Sequence, residues 1–474
     1  MQDHDHVPIC VDLDGTLIHT DLLLESALAL LRRNPLYLFL FFAWLVRGRA
    51  HLKHEIAVRA DIDVARLPYD ERVLAWLREL DDARPRVLCT ASDQRLADAV
   101  AAHVGGFDAV LGSDGVLNLG GRSKGDALRE RYGERGFDYA GNARTDLHVW
   151  RHARRAIVAN ASSGLLRRVR AQCEVERVFE RRTGGWRDWI RALRLYQWPK
   201  NLLVFVPMLA AHLALVPAAL TNALVALCAF CLCASAAYVL NDLLDLDADR
   251  RHPRKRLRPF AAGRLPIQAG LIAAPLLTIA AFAFAITLSP TFMLVLSIYA
   301  LTTLAYSLVV KRVAMLDVIA LAGLYTVRII AGAVAVPVEL SSWLLAFSMF
   351  LFLSLAMIKR YAEIQRVAGT EETRIAGRGY GVDDLSLIQW LGTASGYLSV
   401  LVLAFYINST KSTQLYRHHQ LLWLLTPILL YWISRVWLIA RRGDMHDDPV
   451  VFALTDKASL GVLVLFAGVI FLAI

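Results

Sequence analysis

Cysteine is scarce in this sequence and stands apart from histidine. None of Cys10, Cys89, Cys173, Cys228, Cys231 and Cys233 has metal-ligand spacing to a histidine, and three lie inside one apolar run, so buried free thiols are expected. Internal repeats are missing too, which disfavours a transporter built from two matched halves. There is also no continuous basic tract. The net charge is +10 and the pI near 9.4, but many Lys and Arg flank apolar runs, so they read as topology and anionic-ligand residues and no nucleic-acid partner is expected. Met1–His6 is polar and acidic, unlike a secretory signal, and an apolar strand pattern follows at once. The N-terminal part is therefore expected to stay in the cytoplasm.

Hydrophobic residues, by contrast, make up 56% of the chain, and the mean hydropathy is +0.44. That is too apolar for one soluble globule and too charged for a uniform membrane bundle, so two unlike parts are expected. Apolar residues concentrate after about residue 200, in nine stretches: Leu202–Val216, Leu220–Leu240, Leu271–Leu288, Met293–Val310, Val318–Val336, Trp343–Ile358, Leu391–Ile407, Leu421–Leu438 and one ending at Ile474. Most approach the roughly 20 residues needed to cross a bilayer. Alternate loops carry Arg250 to Arg258, Lys311 with Arg312, Lys359 with Arg360, and Arg441 with Arg442, whereas the opposite loops hold little beyond Lys411 and Arg417. The positive-inside rule then predicts a multi-pass protein of the inner membrane with its N-terminus in the cytoplasm and Ile474 outside.

In the N-terminal part, Val7–Val11 is an apolar run ending at Asp12-Leu13-Asp14-Gly15-Thr16. A strand that delivers two carboxylates into a glycine turn suits phosphoryl chemistry, one attacking phosphorus and the other exchanging a proton with the leaving oxygen. Further on stand Val87-Leu88-Cys89-Thr90, then Lys124 in Arg122-Ser123-Lys124-Gly125, then Tyr139-Ala140-Gly141-Asn142 with Asp146. The four motifs in this order resemble the haloacid dehalogenase superfamily. The resemblance implies an α/β Rossmann-like domain over residues 1–182 with a helical cap at about 21–80. It also implies Asp12 as nucleophile, Asp14 as acid and base, Thr90 holding phosphate, Lys124 steadying the phosphorylated aspartate, and Mg²⁺ on Asp12, Asp14, Asn142 and Asp146. Asn142 departs from the carboxylate usual there, which removes a negative ligand and leaves a degenerate, regulatory domain open. Within the cap, the apolar run Leu36–Val46 is followed by Arg47 and Arg49. Eleven residues are too few to span a bilayer, so this run is either buried in the cap's core or laid in the membrane interface.

Beyond a linker helix expected at 183–200, the second apolar stretch runs into Asn241-Asp242-Leu243-Leu244-Asp245-Leu246-Asp247-Ala248-Asp249. Asp242, Asp245 and Asp249 fall at i, i+3 and i+7, on one helix face, where three carboxylates repel unless a cation such as Mg²⁺ neutralises them. The pattern resembles the first signature of the UbiA superfamily of intramembrane transferases, which implies an all-α bundle of nine membrane helices over 201–474. The second acidic motif of that superfamily is missing; around its place stand Tyr306, Lys311 and the lone Asp317. Basic and polar residues take over: Lys200 and Asn201, then Arg250, His252, Lys255 and Arg258, then Arg328, Lys359 and Arg360. These segments are similar to the decaprenyl-phosphate phosphoribosyltransferase branch.

That resemblance implies two anionic substrates, phosphoribosyl diphosphate and a polyprenyl phosphate, bound by Asn241 and these residues, with Mg²⁺ on Asp242, Asp245 and Asp249 activating the diphosphate. The phosphoribosyl lipid formed would carry a phosphate monoester, the bond type that the N-terminal domain is equipped to hydrolyse. A pentose donor for envelope glycans would result. The alternative is a UbiA prenyltransferase moving a prenyl group from its diphosphate to a small acceptor, beside an unrelated phosphatase. A homo-oligomer is open under either reading.

Overall fold

The computed structural model describes residues 7–180, 184–368, 378–445 and 448–474. They form two compact units, Met1–Leu193 with Tyr238–Ala274, and Arg194–Ala237 with Pro275–Ile474. The first unit thus takes in a segment distant in sequence, which contains the acidic motif.

In the first unit, strands Ile9–Val11 (β1), Arg86–Asp93 (β2), Ala109–Ser113 (β3), Asp138–Gly141 (β4), Arg155–Ala159 (β5) and Glu174–Phe179 (β6) form one parallel sheet, ordered β3-β2-β1-β4-β5-β6. A parallel sheet is covered on both faces, and β1 supplies both cores. Ile9 and Val11 join Leu88, Ala140 and Ile157 on one side, whereas Cys10 joins Val87, Tyr139 and Val158 on the other. The chain runs from β1 to β2 on one flank and later to β4 on the other flank of β1. Strand order therefore reverses at the end of β1, where α/β sheets open a crevice. Asp12 follows β1 directly.

Between β1 and β2, where a cap is expected, stand helices Leu22–Arg33 (α1), Tyr37–Val46 (α2) and Arg49–Arg59 (α3), followed by Glu71–Glu79. Asp21 starts α1 by accepting a hydrogen bond from the Leu24 amide at 3.0 Å. The segment Tyr238–Ala274 is fastened to this unit by ion pairs and hydrogen bonds. Arg250 holds Glu25 at 2.5 and 2.7 Å, Arg32 lies 3.4 Å from Asp245, and Arg264 donates to Asp188 at 2.9 Å.

The membrane helices are Pro217–Leu244 (α4), Ile267–Ala285 (α5), Pro290–Leu308 (α6), Leu316–Ala335 (α7), Ser342–Val367 (α8), Leu385–Ile407 (α9) and Leu425–Arg442 (α10). Among the described residues, seven helical stretches are long and apolar enough to cross a bilayer, or eight if Pro449–Thr455 and Lys457–Ala473, bent by 78°, count as one span. Nine continuous spans are thus not counted among the described residues. The first expected span is a 3-10 run, Leu195–Phe205, with Pro199 inside it, and then a five-residue helix, Val206–Ala210. Pro199, Pro207 and Pro217 each lack an amide donor, so an unbroken α-helical ladder cannot run through this stretch. The expected linker helix is shorter, Trp186–Leu193, and gives way to Arg194 in left-handed backbone, φ 52°.

The 3-10 run packs closely on α7, where a Cβ at Gly332 would stand 2.0 Å from the Val204 carbonyl oxygen; at Gly323, on the same helix, it would meet nothing within 4 Å. Gly332→Ala is therefore expected to destabilise the purified protein by about 1–3 kcal/mol through overpacking, and Gly323→Ala to leave its thermal midpoint unchanged or raised. Equal midpoints for the two variants in detergent would refute this packing.

Candidate functional site

Asp12, Asp14, Lys124, Asn142 and Asp146 converge at the end of β1. Lys124, on the helix Arg122–Tyr132, reaches Asp12 Oδ1 at 2.5 Å and the Tyr139 hydroxyl at 3.0 Å. Tyr139 in turn donates to Asp146 Oδ1 at 3.1 Å, and the amides of Asn142 and Ala143 donate to Asp146 Oδ2 at 3.0 and 2.9 Å. Asp146 thus shapes the loop that presents Asn142. Asp14 accepts from the Leu22 amide at 2.9 Å and from Ser92 Oγ at 2.7 Å. Gly15 has φ +76°, and a Cβ there would sit 1.9 Å from Asn142 Nδ2, so the turn requires glycine.

Electrostatics separate the two leading carboxylates. Burial raises Asp12 to about 6, although Lys124 beside it pulls the other way. Burial and the Asp21 carboxylate raise Asp14 further, to about 7. Burial works against the charge of Lys124, but Asp12 and Asp146 hold its pKa above the usual lysine value. Burial thus moves both carboxyls toward neutrality, the range in which a carboxyl exchanges protons readily.

Thr90 is fully buried, and its hydroxyl accepts from the Ser92 amide at 3.0 Å. Ser92, not Thr90, lines the cavity at this site and touches Asp14. Lys53, unsignalled in the sequence, reaches the Ala91 carbonyl at 2.5 Å and Asn118 at 2.7 Å from α3. The cavity measures about 1070 Å³, and Gly263–Ala269, the segment entering α5, supplies part of its wall.

Among the described residues no group of three or more His, Cys, Asp or Glu is gathered as metal ligands. At the sheet site the donor set nevertheless fits a hard cation. Asn142 Oδ1 is a buried oxygen with no hydrogen-bond partner, in the same cavity as Asp12 and Asp14.

The acidic motif is not one helix face. Helix α4 ends at Leu244, and Asp245 (φ −99°, ψ 13°) breaks into the short helix Leu246–Arg251. Asp242 and Asp249 are buried and share one guanidinium, Arg258 Nη1, at 3.1 and 2.7 Å; Asp245 turns to Arg32 of the cap. Burial raises Asp249 to about 6 despite Arg258. Arg250, expected to bind substrate, is committed to Glu25 and the Ala261 carbonyl. His252 Nδ1 accepts from the Arg254 and Lys255 amides at 3.2 and 3.4 Å. The Asn241 carbonyl accepts from the Asp245 amide at 2.9 Å.

In the second unit two carboxylates that sequence reading did not assign gather the basic residues. Asp448 accepts from Lys200 and lies 3.8 Å from Lys359. Burial opposes the charge of Asp448, yet the two lysines keep its pKa below the ordinary carboxylate range. Asp317 pairs with Arg360 at 2.6 Å, with Arg378 at 3.7 Å and accepts from the Tyr380 hydroxyl at 2.6 Å. Arg360, expected to bind substrate, is fully buried and also meets Glu363, so it is an internal strut. Tyr306 accepts from Arg378 at 3.0 Å, and Lys311 is half-buried. Arg328 is satisfied by neutral partners, donating to Asn201 Oδ1 at 2.8 Å, the Tyr299 hydroxyl at 2.9 Å and the Leu324 carbonyl.

Comparison with known proteins adds a family. Residues 202–455 match the UbiA prenyltransferase family. The chain is 37% identical over 468 residues to the uncharacterized protein y4nM of Sinorhizobium fredii, covering 98% of this chain and 90% of that one. It is 35% identical over 287 residues to nodulation protein NoeC of Azorhizobium caulinodans, 60% of this chain and 92% of that one. It is 31% identical over 278 residues to the decaprenyl-phosphate phosphoribosyltransferase of Mycolicibacterium smegmatis, 56% of this chain and 86% of that one.

Removing one partner of a buried ion pair strands the other charge at a cost of about 3–5 kcal/mol. Arg360→Met should lower the thermal midpoint in detergent strongly, and adding Asp317→Asn should restore part of the loss. A double variant less stable than Arg360→Met alone would contradict the pairing.

Proposed function

This multi-pass membrane chain belongs to the UbiA prenyltransferase family, and from that premise we propose that it transfers 5-phosphoribose from phosphoribosyl diphosphate to a polyprenyl phosphate and then removes the 5-phosphate. Likeness to a decaprenyl-phosphate phosphoribosyltransferase supports the first step. The observation that carries the second is the cavity at Asp12 and Asp14, walled in part by residues that follow the acidic motif. Under this reading the sheet unit is a haloacid dehalogenase-type phosphatase on the cytoplasmic side of the inner membrane.

In the transfer, the bond from ribose C1 to diphosphate breaks and a lipid phosphate oxygen forms the new bond to C1. Mg²⁺, when bound through Asp242 and Asp249, supplies charge neutralisation for the departing diphosphate. Arg258, which bridges both carboxylates, would turn from them to a phosphate oxygen. Lys200 and Lys359, gathered on Asp448, are the candidate cations for the lipid phosphate. The nucleophile is anionic at neutral pH, so no general base is needed.

In the hydrolysis, Asp12 forms a bond to phosphorus as the ester bond to the ribose 5-oxygen breaks, and Asp14 gives that oxygen its proton. Lys124 offsets charge on the phosphorylated Asp12. Water, deprotonated by Asp14, then releases phosphate and restores Asp12. Asp12, Asp14 and the Asn142 amide oxygen would hold the Mg²⁺ that screens the phosphate charge. A second reading, transfer of a prenyl group from its diphosphate to a small acceptor, is favoured only by the family's own description.

With phosphoribosyl diphosphate, Mg²⁺ and a polyprenyl phosphate, wild-type protein should yield polyprenyl-phosphoryl ribose, whereas Asp242→Asn should lose transfer by on the order of 100-fold. Asp12→Asn should keep releasing diphosphate and accumulate a lipid one phosphate heavier, resolved by mass. Turnover of a prenyl diphosphate in place of the phosphoribosyl donor would establish the second reading. The same lipid product from wild type and Asp12→Asn would remove the coupled hydrolysis.

A further inference from the structure

Helix α2 is apolar all the way round, yet only one side of it is covered. Its inner side, Tyr37, Phe41 and Trp44, packs on Leu30 of α1 and Ile56 of α3. The outer side presents Leu38, Phe39, Phe42, Leu45 and Val46, with Phe39 70% and Val46 89% exposed. No polar residue interrupts Leu36–Val46. A helix with one face toward water carries polar residues on that face, so an outer face built like the inner one calls for a second apolar phase.

Two further observations identify that phase. Exposed Arg33 precedes the helix and exposed Arg47 follows it, the arrangement that pairs an apolar face with anionic headgroups. In addition α1, on which α2 packs, is tied through Glu25 to Arg250 and through Arg32 to Asp245, within the segment that joins membrane helices α4 and α5. The cap is thereby fastened to the short stretch of chain between two membrane helices. Ten residues rise only about 15 Å, half the hydrocarbon thickness, so α2 cannot cross.

We propose that α2 is an in-plane membrane foot of the cap, with its outer face sunk roughly 5–10 Å into the headgroup–acyl boundary and Arg33 and Arg47 at lipid phosphates. Three residues after α2, α3 begins with Arg49, which lines the cavity together with Lys53 one turn later. The cap therefore runs from the bilayer surface to the cavity in a single helical hairpin. A phosphate monoester carried on a lipid reaches that cavity without leaving the membrane plane, whereas a soluble one gains nothing from the foot. This last consequence rests on the phosphatase reading; the membrane contact does not.

The test uses full-length protein in vesicles of phosphatidylcholine and phosphatidylglycerol, in a Cys173→Ser, Cys228→Ser background. An environment-sensitive fluorophore is placed at Phe39→Cys, Phe42→Cys or, as control, Val116→Cys, which is 92% exposed in the native chain. Doxyl-labelled lipid should quench the probes at positions 39 and 42 several-fold more than the control. Equal quenching at all three would overturn the proposal, as would disulfide cross-linking between copies at 39 or 42 without lipid quenching, which would assign the face to a second copy. In a parallel arm, Phe39→Ser with Phe42→Ser should raise KM for a lipid-borne phosphate monoester about tenfold or more and leave hydrolysis of p-nitrophenyl phosphate unchanged. Inactivity of the wild type on both substrates would defeat the phosphatase reading alone, because the quenching result stands independently.

Discussion

A carboxylate taken out of water must have a cation or a set of donors taken in with it, and this constraint organises both units of the chain. Asp12 has Lys124, Asp242 and Asp249 share Arg258, Asp317 has Arg360 and Arg378, and Asp448 has Lys200 and Lys359. Asp138, at the start of β4, is held in the same way by Arg84 and Arg154. Some pairs are structural ties, as the full burial of Arg360 and Asp317 indicates. Others leave the cation partly open to its surroundings. The same electrostatic requirement thus yields closed pairs and open ones, and partial exposure distinguishes them: Arg258 and Lys359 retain access that Arg360 lacks.

Much of this was legible along the chain because the signals were local. The Asp12–Asp14 turn, the helix-length apolar stretches and the carboxylates near Asp242 each occupy a short window with a recognisable pattern. What escaped were partners set by folding alone. Lys200 and Asp448 lie 248 residues apart, and no spacing rule links them. Asp317 looked solitary because Arg360, Arg378 and Tyr380 come from later segments. The expectation of one carboxylate face on a continuous helix failed at Asp245, where the backbone leaves the helix and its side chain finds Arg32. Thr90 and Ser92 stand two apart in β2, the spacing of one strand face, but the pairing register shifts between Cys89 and Asp93, and sequence could not say which hydroxyl that irregularity would bring to the crevice.

The apolar run Leu36–Val46 shows a different limit. Composition left burial and membrane contact as alternatives; in the fold one side of the helix is buried, at Trp44, and the other is exposed, at Phe39. Hydrophobicity alone cannot separate a core face from a lipid face, since both exclude water; only the neighbours supplied by α1 and α3 do so.

The wall of the cavity formed by Gly263–Ala269 bears on how the protein is made. Synthesis proceeds from the N-terminus, so all six strands leave the ribosome before α4 does. That sheet can form while its crevice still lacks a side. The missing side follows α4, and it arrives together with Arg250 and Arg264, which fasten it to Glu25 and Asp188. The cavity on the early-made part is therefore completed only by chain that emerges after a hydrophobic helix, so its closure waits on the synthesis of α4.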